Sequence, residues 1–149
     1  MKYYANYPAY YPIFGYNFVK SNKDNIDLLV NGKKNELVNK CLLSKGENII
    51  TIVIKNKLTD LSCMFKNCYY LEDFSDLKYL DVSQSEKFYE MFSGCILLTD
   101  VNKIWNVSNS NSFTFIFHYC KSLIDIKGLE NGMSQTVKVF MVCFMDMNH

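Results

Sequence analysis

Three times along the chain the same phrase returns: Cys63-Met64-Phe65-Lys66-Asn67-Cys68-Tyr69-Tyr70-Leu71-Glu72-Asp73, then Glu90-Met91-Phe92-Ser93-Gly94-Cys95-Ile96-Leu97-Leu98-Thr99-Asp100, then Phe115-Ile116-Phe117-His118-Tyr119-Cys120-Lys121-Ser122-Leu123-Ile124-Asp125. Phe65, Phe92 and Phe117 are 27 and 25 residues apart, and Cys, Leu and Asp follow each at fixed offsets. A period in the twenties marks a chain of repeats that cannot bury an apolar face singly and hide it by stacking on the next. The three phenylalanines are therefore expected to pile on one another inside one continuous interior.

At 149 residues, 49% of them apolar, the chain has the length of one domain and enough hydrophobic material for a core. Its formal charge of +1 comes from Lys alone, since Arg is absent, and the Lys are scattered among Asp and Glu. That balance gives no electrostatic footing to nucleic-acid binding. No apolar run approaches the roughly 20 residues of a spanning helix, and the opening Met1-Lys2-Tyr3-Tyr4-Ala5-Asn6-Tyr7-Pro8 has no apolar signal region. No membrane span is expected, and a cytoplasmic location is favoured over secretion.

Residues 1–12 show neither a helical nor a strand period and are expected to form a disordered, Tyr-rich arm. Residues 13–57 read as a β-rich capping subdomain. Ile26-Asp27-Leu28-Leu29-Val30 and Lys33-Lys34-Asn35-Glu36-Leu37-Val38 flank Asn31-Gly32, the pair that favours a two-residue type I′ hairpin turn. The β-branched run Ile49-Ile50-Thr51-Ile52-Val53-Ile54 predicts a buried strand. Such a cap is needed, because the open end of a repeat stack exposes core side chains and strand edges to water.

Within the repeats, Phe88, Met91 and Phe92 have the i, i+3, i+4 spacing of a short helix over 85–93 that Gly94 ends. Leu71 to Leu77, Leu98 to Ile104 and Leu123 to Ile126 carry the strand-and-turn spacing of leucine-rich repeats. The expected fold class is thus α/β, a leucine-rich-repeat-like solenoid of short parallel strands and short helices with an N-terminal β-rich cap.

The units Leu58-Thr59-Asp60-Leu61-Ser62-Cys63-Met64-Phe65-Lys66-Asn67-Cys68-Tyr69-Tyr70-Leu71 and Trp105-Asn106-Val107-Ser108-Asn109 resemble the BspA-like leucine-rich repeat proteins, related to the mycoplasma lipoprotein repeat, which iterate N-V-T-N-M-S-x-M-F-x-G-C-x-S-L. The resemblance covers residues 58–131, and residues 13–57 are similar to the β-rich region that precedes such repeats in protist members. It implies a right-handed solenoid and a binding or adhesion role, often at a cell surface, and it brings no catalytic residues.

After Asn131 the pattern breaks: Gly132-Met133-Ser134-Gln135-Thr136 stands where another Trp-Asn-Val-Ser-Asn is due. One T placed before the Gly132 codon back-translates to codons compatible with that phrase and with a fourth Met-Phe core. Residues 132–149 are accordingly read as a frameshifted tail that truncates the repeats.

The chemistry of the remaining residues is sparse. Cys63, Cys68, Cys95, Cys120, Cys143 and His118 lack the close pairs of a structural zinc site, and three of these Cys recur with the repeat as a row of small buried thiols. His118, two residues from Cys120, hints at a thiol nucleophile, but its repeat position matches Ser93 and Lys66 and suggests an exposed loop. Asp73, Asp100 and Asp125 recur at one position and read as turn caps or solvated carboxylates more readily than as a cation ladder. The sequon Asn106-Val107-Ser108 matters only in a secretory compartment.

No enzyme, metal or cofactor is expected. The reading is a protein-interaction module whose binding surface comprises Glu72, Asp73, Thr99, Asp100, Ile124 and Asp125, its partner a protein, with self-association through the exposed C-terminal coil. The alternative is a truncated repeat fragment without independent activity.

Overall fold

A computed structural model describes residues 1–71, 75–99, 101 and 112–124 of the chain. Its first part is built from strands β1 (Lys2–Ala5) and β2 (Ala9–Pro12), helix α1 (Tyr16–Asn22), and strands β3 (Ile26–Val30), β4 (Lys33–Asn35), β5 (Lys40–Leu43) and β6 (Gly46–Ile54). These strands form a four-stranded sheet of order β1-β6-β3-β4 and a two-stranded sheet β2-β5, every pairing antiparallel. Asn31 and Gly32 carry φ of 50° and 76°, the two positive values the β3–β4 turn requires.

Residues 1–12 are not a disordered arm, because β1 and β2 occupy them. Tyr3 and Ala5 are buried while Tyr4 is 62% exposed, a period of two that the run Tyr3-Tyr4 conceals, since both positions carry the same residue. The run 49–54 also differs from expectation, forming a strand with one wet face: Ile50 is fully buried, but Ile49 is 38% and Val53 50% exposed.

Among the described residues the repeats contain neither the helices nor the strands expected of them. Leu61 to Leu71 is a chain of tight turns, with Lys66 N–H donating to the Cys63 carbonyl (3.1 Å), Cys68 to Phe65 (3.0 Å) and Leu71 to Cys68 (3.2 Å). Alternate N–H groups leave the repeat for the next one: Cys63 donates to the Tyr89 carbonyl (2.8 Å), Phe65 to Met91 (2.8 Å) and Asn67 to Ser93 (2.7 Å), then Glu90 to Thr114 (3.0 Å), Phe92 to Ile116 (2.9 Å) and Gly94 to His118 (2.7 Å).

Two left-handed positions recur in register, at Cys63, Glu90 and Phe115 (φ 60°, 51°, 57°) and at Asn67, Gly94 and Tyr119 (φ 62°, 78°, 60°). A left-handed residue every fourth position is incompatible with an α-helix, so the 85–93 helix does not form. Ser75–Tyr79, expected to extend a strand, is a 3₁₀ helix.

The α/β leucine-rich-repeat-like solenoid is therefore not the fold. Among the described residues the chain is mostly antiparallel β with little helix, and its parallel pairings are the isolated bridges Asp60–Lys87 and Lys87–Ser112. The physical reason is that backbone groups expected to pair along helices and strands are consumed by turns within a repeat and by single bonds between repeats.

The apolar interior is nonetheless shared. Phe92 stacks on Phe65 at 5.7 Å between ring centroids and on Phe117 at 5.6 Å, with planes 12° and 13° apart, and Phe88 stacks on Phe113 at 5.4 Å. Phe14 of the cap lies 5.9 Å from Phe65, and Gly15 N–H donates to the Met64 carbonyl (3.0 Å). Beyond Ile124, the proposed frameshifted tail and the C-terminal coil suggested for self-association lie outside the described residues.

Candidate functional site

The same turns that bury Phe and Cys force other side chains outward. In Cys68–Leu71 and Cys95–Leu98 the end residues are buried and bonded across the turn, so the central residues project from the corner. Those residues are Tyr69 and Tyr70 in the first repeat and Ile96 and Leu97 in the second, where turn chemistry would favour small polar ones. Tyr69, Tyr70 and Ile96 are all exposed. In the third repeat the corner carries Lys121 and Ser122.

An aromatic run extends this corner onto the cap. Tyr70 meets Tyr69 edge-on at 5.8 Å and Tyr11 edge-on at 5.0 Å, Tyr11 lies 6.4 Å from the exposed Tyr7, and its hydroxyl donates to the Tyr7 carbonyl (3.1 Å).

Of the six surface residues expected from sequence, Thr99 and Ile124 are described. Both are exposed, Ile124 to 81%, and the Ile124 N–H donates to the Thr99 carbonyl at 2.8 Å, which joins the second repeat to the third. Glu72, Asp73, Asp100 and Asp125 lie outside the described residues. The tyrosine corner was missed, although its signal is in the sequence: a pair of large apolar residues directly after Cys68 and again after Cys95.

A second cluster joins the first two repeats. Lys66 pairs with the half-buried Glu90, whose carboxylate also faces the Cys63 thiol at 3.9 Å. The bond to Glu90 raises the Lys66 pKa, while burial first and the Glu90 charge second raise that of Cys63. A thiol beside a carboxylate is held protonated, which is the wrong state for a nucleophile.

Cys68, Cys95 and Cys120 are more deeply placed. Cys95 Sγ–H donates to the Phe65 carbonyl and Cys120 Sγ–H to the Phe92 carbonyl, each at 3.1 Å. Burial pushes Cys41 up to about 11 and Cys120 up to about 12, and raises Cys68 and Cys95 as well. The His118 ring packs 4.1 Å from Tyr119 and 5.4 Å from Phe115. With its thiol bonded to a carbonyl and kept neutral, Cys120 is poorly suited to partner His118 in covalent catalysis. Among the described residues no group of three or more His, Cys, Asp or Glu is placed to hold a metal ion, and no helix is long and apolar enough to cross a membrane.

These thiols predict an alkaline instability. The unfolded chain releases their protons above about pH 9, while the folded chain retains them. Stability is therefore intact below that pH and falls as the pH rises toward 11 and 12, by about 1.4 kcal/mol per pH unit for each such thiol. Urea midpoints measured at rising pH should fall steeply beyond this threshold; a flat profile would contradict the buried thiol row.

A family profile described as "Mycoplasma protein of unknown function, DUF285" matches residues 37–146, well over half of the chain. No curated protein and no solved structure matches it.

Proposed function

The chain belongs to the DUF285 family, and from that premise we propose that it is a non-enzymatic protein-interaction module of the binding or adhesion type. The carrying observation is the corner surface, on which Tyr69, Tyr70 and Ile96 stand exposed at turns whose flanking Cys68, Leu71, Cys95 and Leu98 are locked in the interior. Tyr enriches protein interfaces because it offers a large contact area with only two rotatable bonds to immobilise. Residues held on a stacked core present such area without reorganisation, which lowers the entropic cost of association. Ile124 and Thr99 enlarge the surface towards the third repeat. The resemblance of the repeat phrase to that of BspA-like proteins, and of residues 13–57 to the β-rich region that precedes such repeats in protist members, supports the same role.

The partner is inferred to be a protein, without nucleic acid or cofactor. A chain carrying Tyr70→Ser, Ile96→Ser and Ile124→Ser together tests this, since all three side chains are exposed and their loss should leave the melt within about 0.5 kcal/mol per site of the parent. Affinity capture followed by quantitative proteomics should then lose the proteins that the parent retains. Undiminished recovery of the same set would remove the corner as the binding surface.

A further inference from the structure

We propose that Asn31, followed by Gly32, is a site of non-enzymatic deamidation whose conversion unlinks two turns of the cap. Gly32 has no side chain to shield its nitrogen, and the place where a Cβ would stand is open, so the nitrogen can attack Asn31 Cγ. The new N–Cγ bond closes a five-membered succinimide, the Cγ–Nδ2 bond breaks, and Nδ2 leaves as ammonia with the proton shed by the Gly32 nitrogen. Water then opens the ring at either carbonyl, leaving aspartate or isoaspartate at position 31.

The fold restrains this reaction. Asn31 Nδ2 donates to Asn48 Oδ1 (3.0 Å), and Asn31 Oδ1 accepts from the Ile49 N–H (2.7 Å), while the Asn31 N–H donates to the Ile49 carbonyl (2.8 Å). The carboxamide is thus tied at both ends, and ring closure requires it to leave both partners. Local opening of the β3–β4 turn is the gate.

Asn48 makes the consequence structural. It is fully buried, its Nδ2 donates to the Ser44 carbonyl (2.8 Å) and the Gly46 carbonyl (3.0 Å), and its Oδ1 also accepts from the Ser44 N–H and Oγ, each at 3.2 Å. Asn31 therefore bridges the β3–β4 turn to the β5–β6 turn through one buried amide. A carboxylate at position 31 has no N–H to give Asn48 Oδ1 and sets negative charge against it. Isoaspartate also adds a main-chain carbon to a two-residue turn that fixes the strand register.

The test is incubation of the full-length chain in mildly alkaline buffer at body temperature, with peptide mapping for a gain of about 1 Da at Asn31 and for isoaspartate. The parent should convert slowly when folded and about tenfold faster in urea. Asn48→Ser, which removes one restraint, should raise the folded rate by about fivefold. Asn31→Gln should stop conversion at this position, because its ring would need six members. The modified parent should melt below the unmodified protein. Conversion as fast in the folded chain as in urea, no mass gain at Asn31 under either condition, or an unchanged melt after conversion would each overturn the proposal.

Discussion

Phe92→Ala is expected to destabilise the protein by about 3–5 kcal/mol, the range for removing a fully buried aromatic ring. Phe92 is 0% exposed and is the middle ring of three, in contact with Phe65 on one side and Phe117 on the other. Its loss opens a ring-sized void and abolishes two stacked contacts together, and neither neighbour can slide inward, because each is tied by backbone bonds to its own level of the stack. Against a total stability of about 5–15 kcal/mol for a domain of this size, that is a large share. Phe92→Leu, which keeps most of the volume, should cost about 1–1.5 kcal/mol. Equilibrium urea unfolding measures both, and an alanine variant within 1 kcal/mol of the parent would show that the rings are not one interior.

Gly15→Ala should have a comparable effect of a different kind. A Cβ at Gly15 would lie 2.0 Å from the Cys63 carbonyl oxygen and 3.2 Å from Lys66 Cβ. The first contact is with backbone, which no rotamer change relieves. The backbone of Gly15 is itself ordinary, at φ −69°, so the need for glycine comes from close approach alone. Admitting the methyl requires the cap to back away from the first repeat, giving up the Gly15 N–H bond to the Met64 carbonyl and loosening Phe14 on Phe65. Overpacking of this severity costs about 2–4 kcal/mol. Its signature is lost coupling: cap and repeats should unfold in two steps where the parent unfolds in one. A single transition at the parental midpoint would mean that the junction is soft.

The repeat spacing announced the stacked phenylalanines because identical offsets can satisfy one another only by lying in register, and that argument needs no knowledge of the backbone. It misled about the backbone itself. Phe88, Met91 and Phe92 are all buried at the spacing of a helical face, but the left-handed Glu90 breaks any helix, and the Phe92 N–H goes to Ile116 in the next repeat. A spacing of three and four reports which side chains share a face, and a run of turns can supply that face as well as a helix can. The BspA-like likeness carried the same error into the fold class, because the shared phrase records the interior and not the hydrogen bonding.

The cap shows the opposite balance. Asn31-Gly32 fixed its turn locally, since few residues accept two successive positive φ values. Strand β1 had no local signature, and its order depends on pairing with β6, more than forty residues away, where Tyr3 lies opposite Asn48. At the candidate surface, what the sequence offered was position along the repeat and not orientation. Thr99 and Ile124 were expected from the repeat offsets and are exposed, whereas the doubled large residues after Cys68 and Cys95 gained meaning only once the turns placed Tyr69 and Tyr70 outside.

What the amino-acid order determined on its own is therefore the set of side chains that must be buried together, because periodic apolar residues have nowhere else to go in water, and the one turn whose dihedral angles demand Asn-Gly. What the tertiary structure alone decided is the path of the main chain between them, the seating of the cap on the first repeat at Gly15, and the outward placement of the tyrosine corner. Each of these depends on where distant N–H and C=O groups find partners, and hydrogen bonds between segments far apart in the chain leave no periodic trace in either segment.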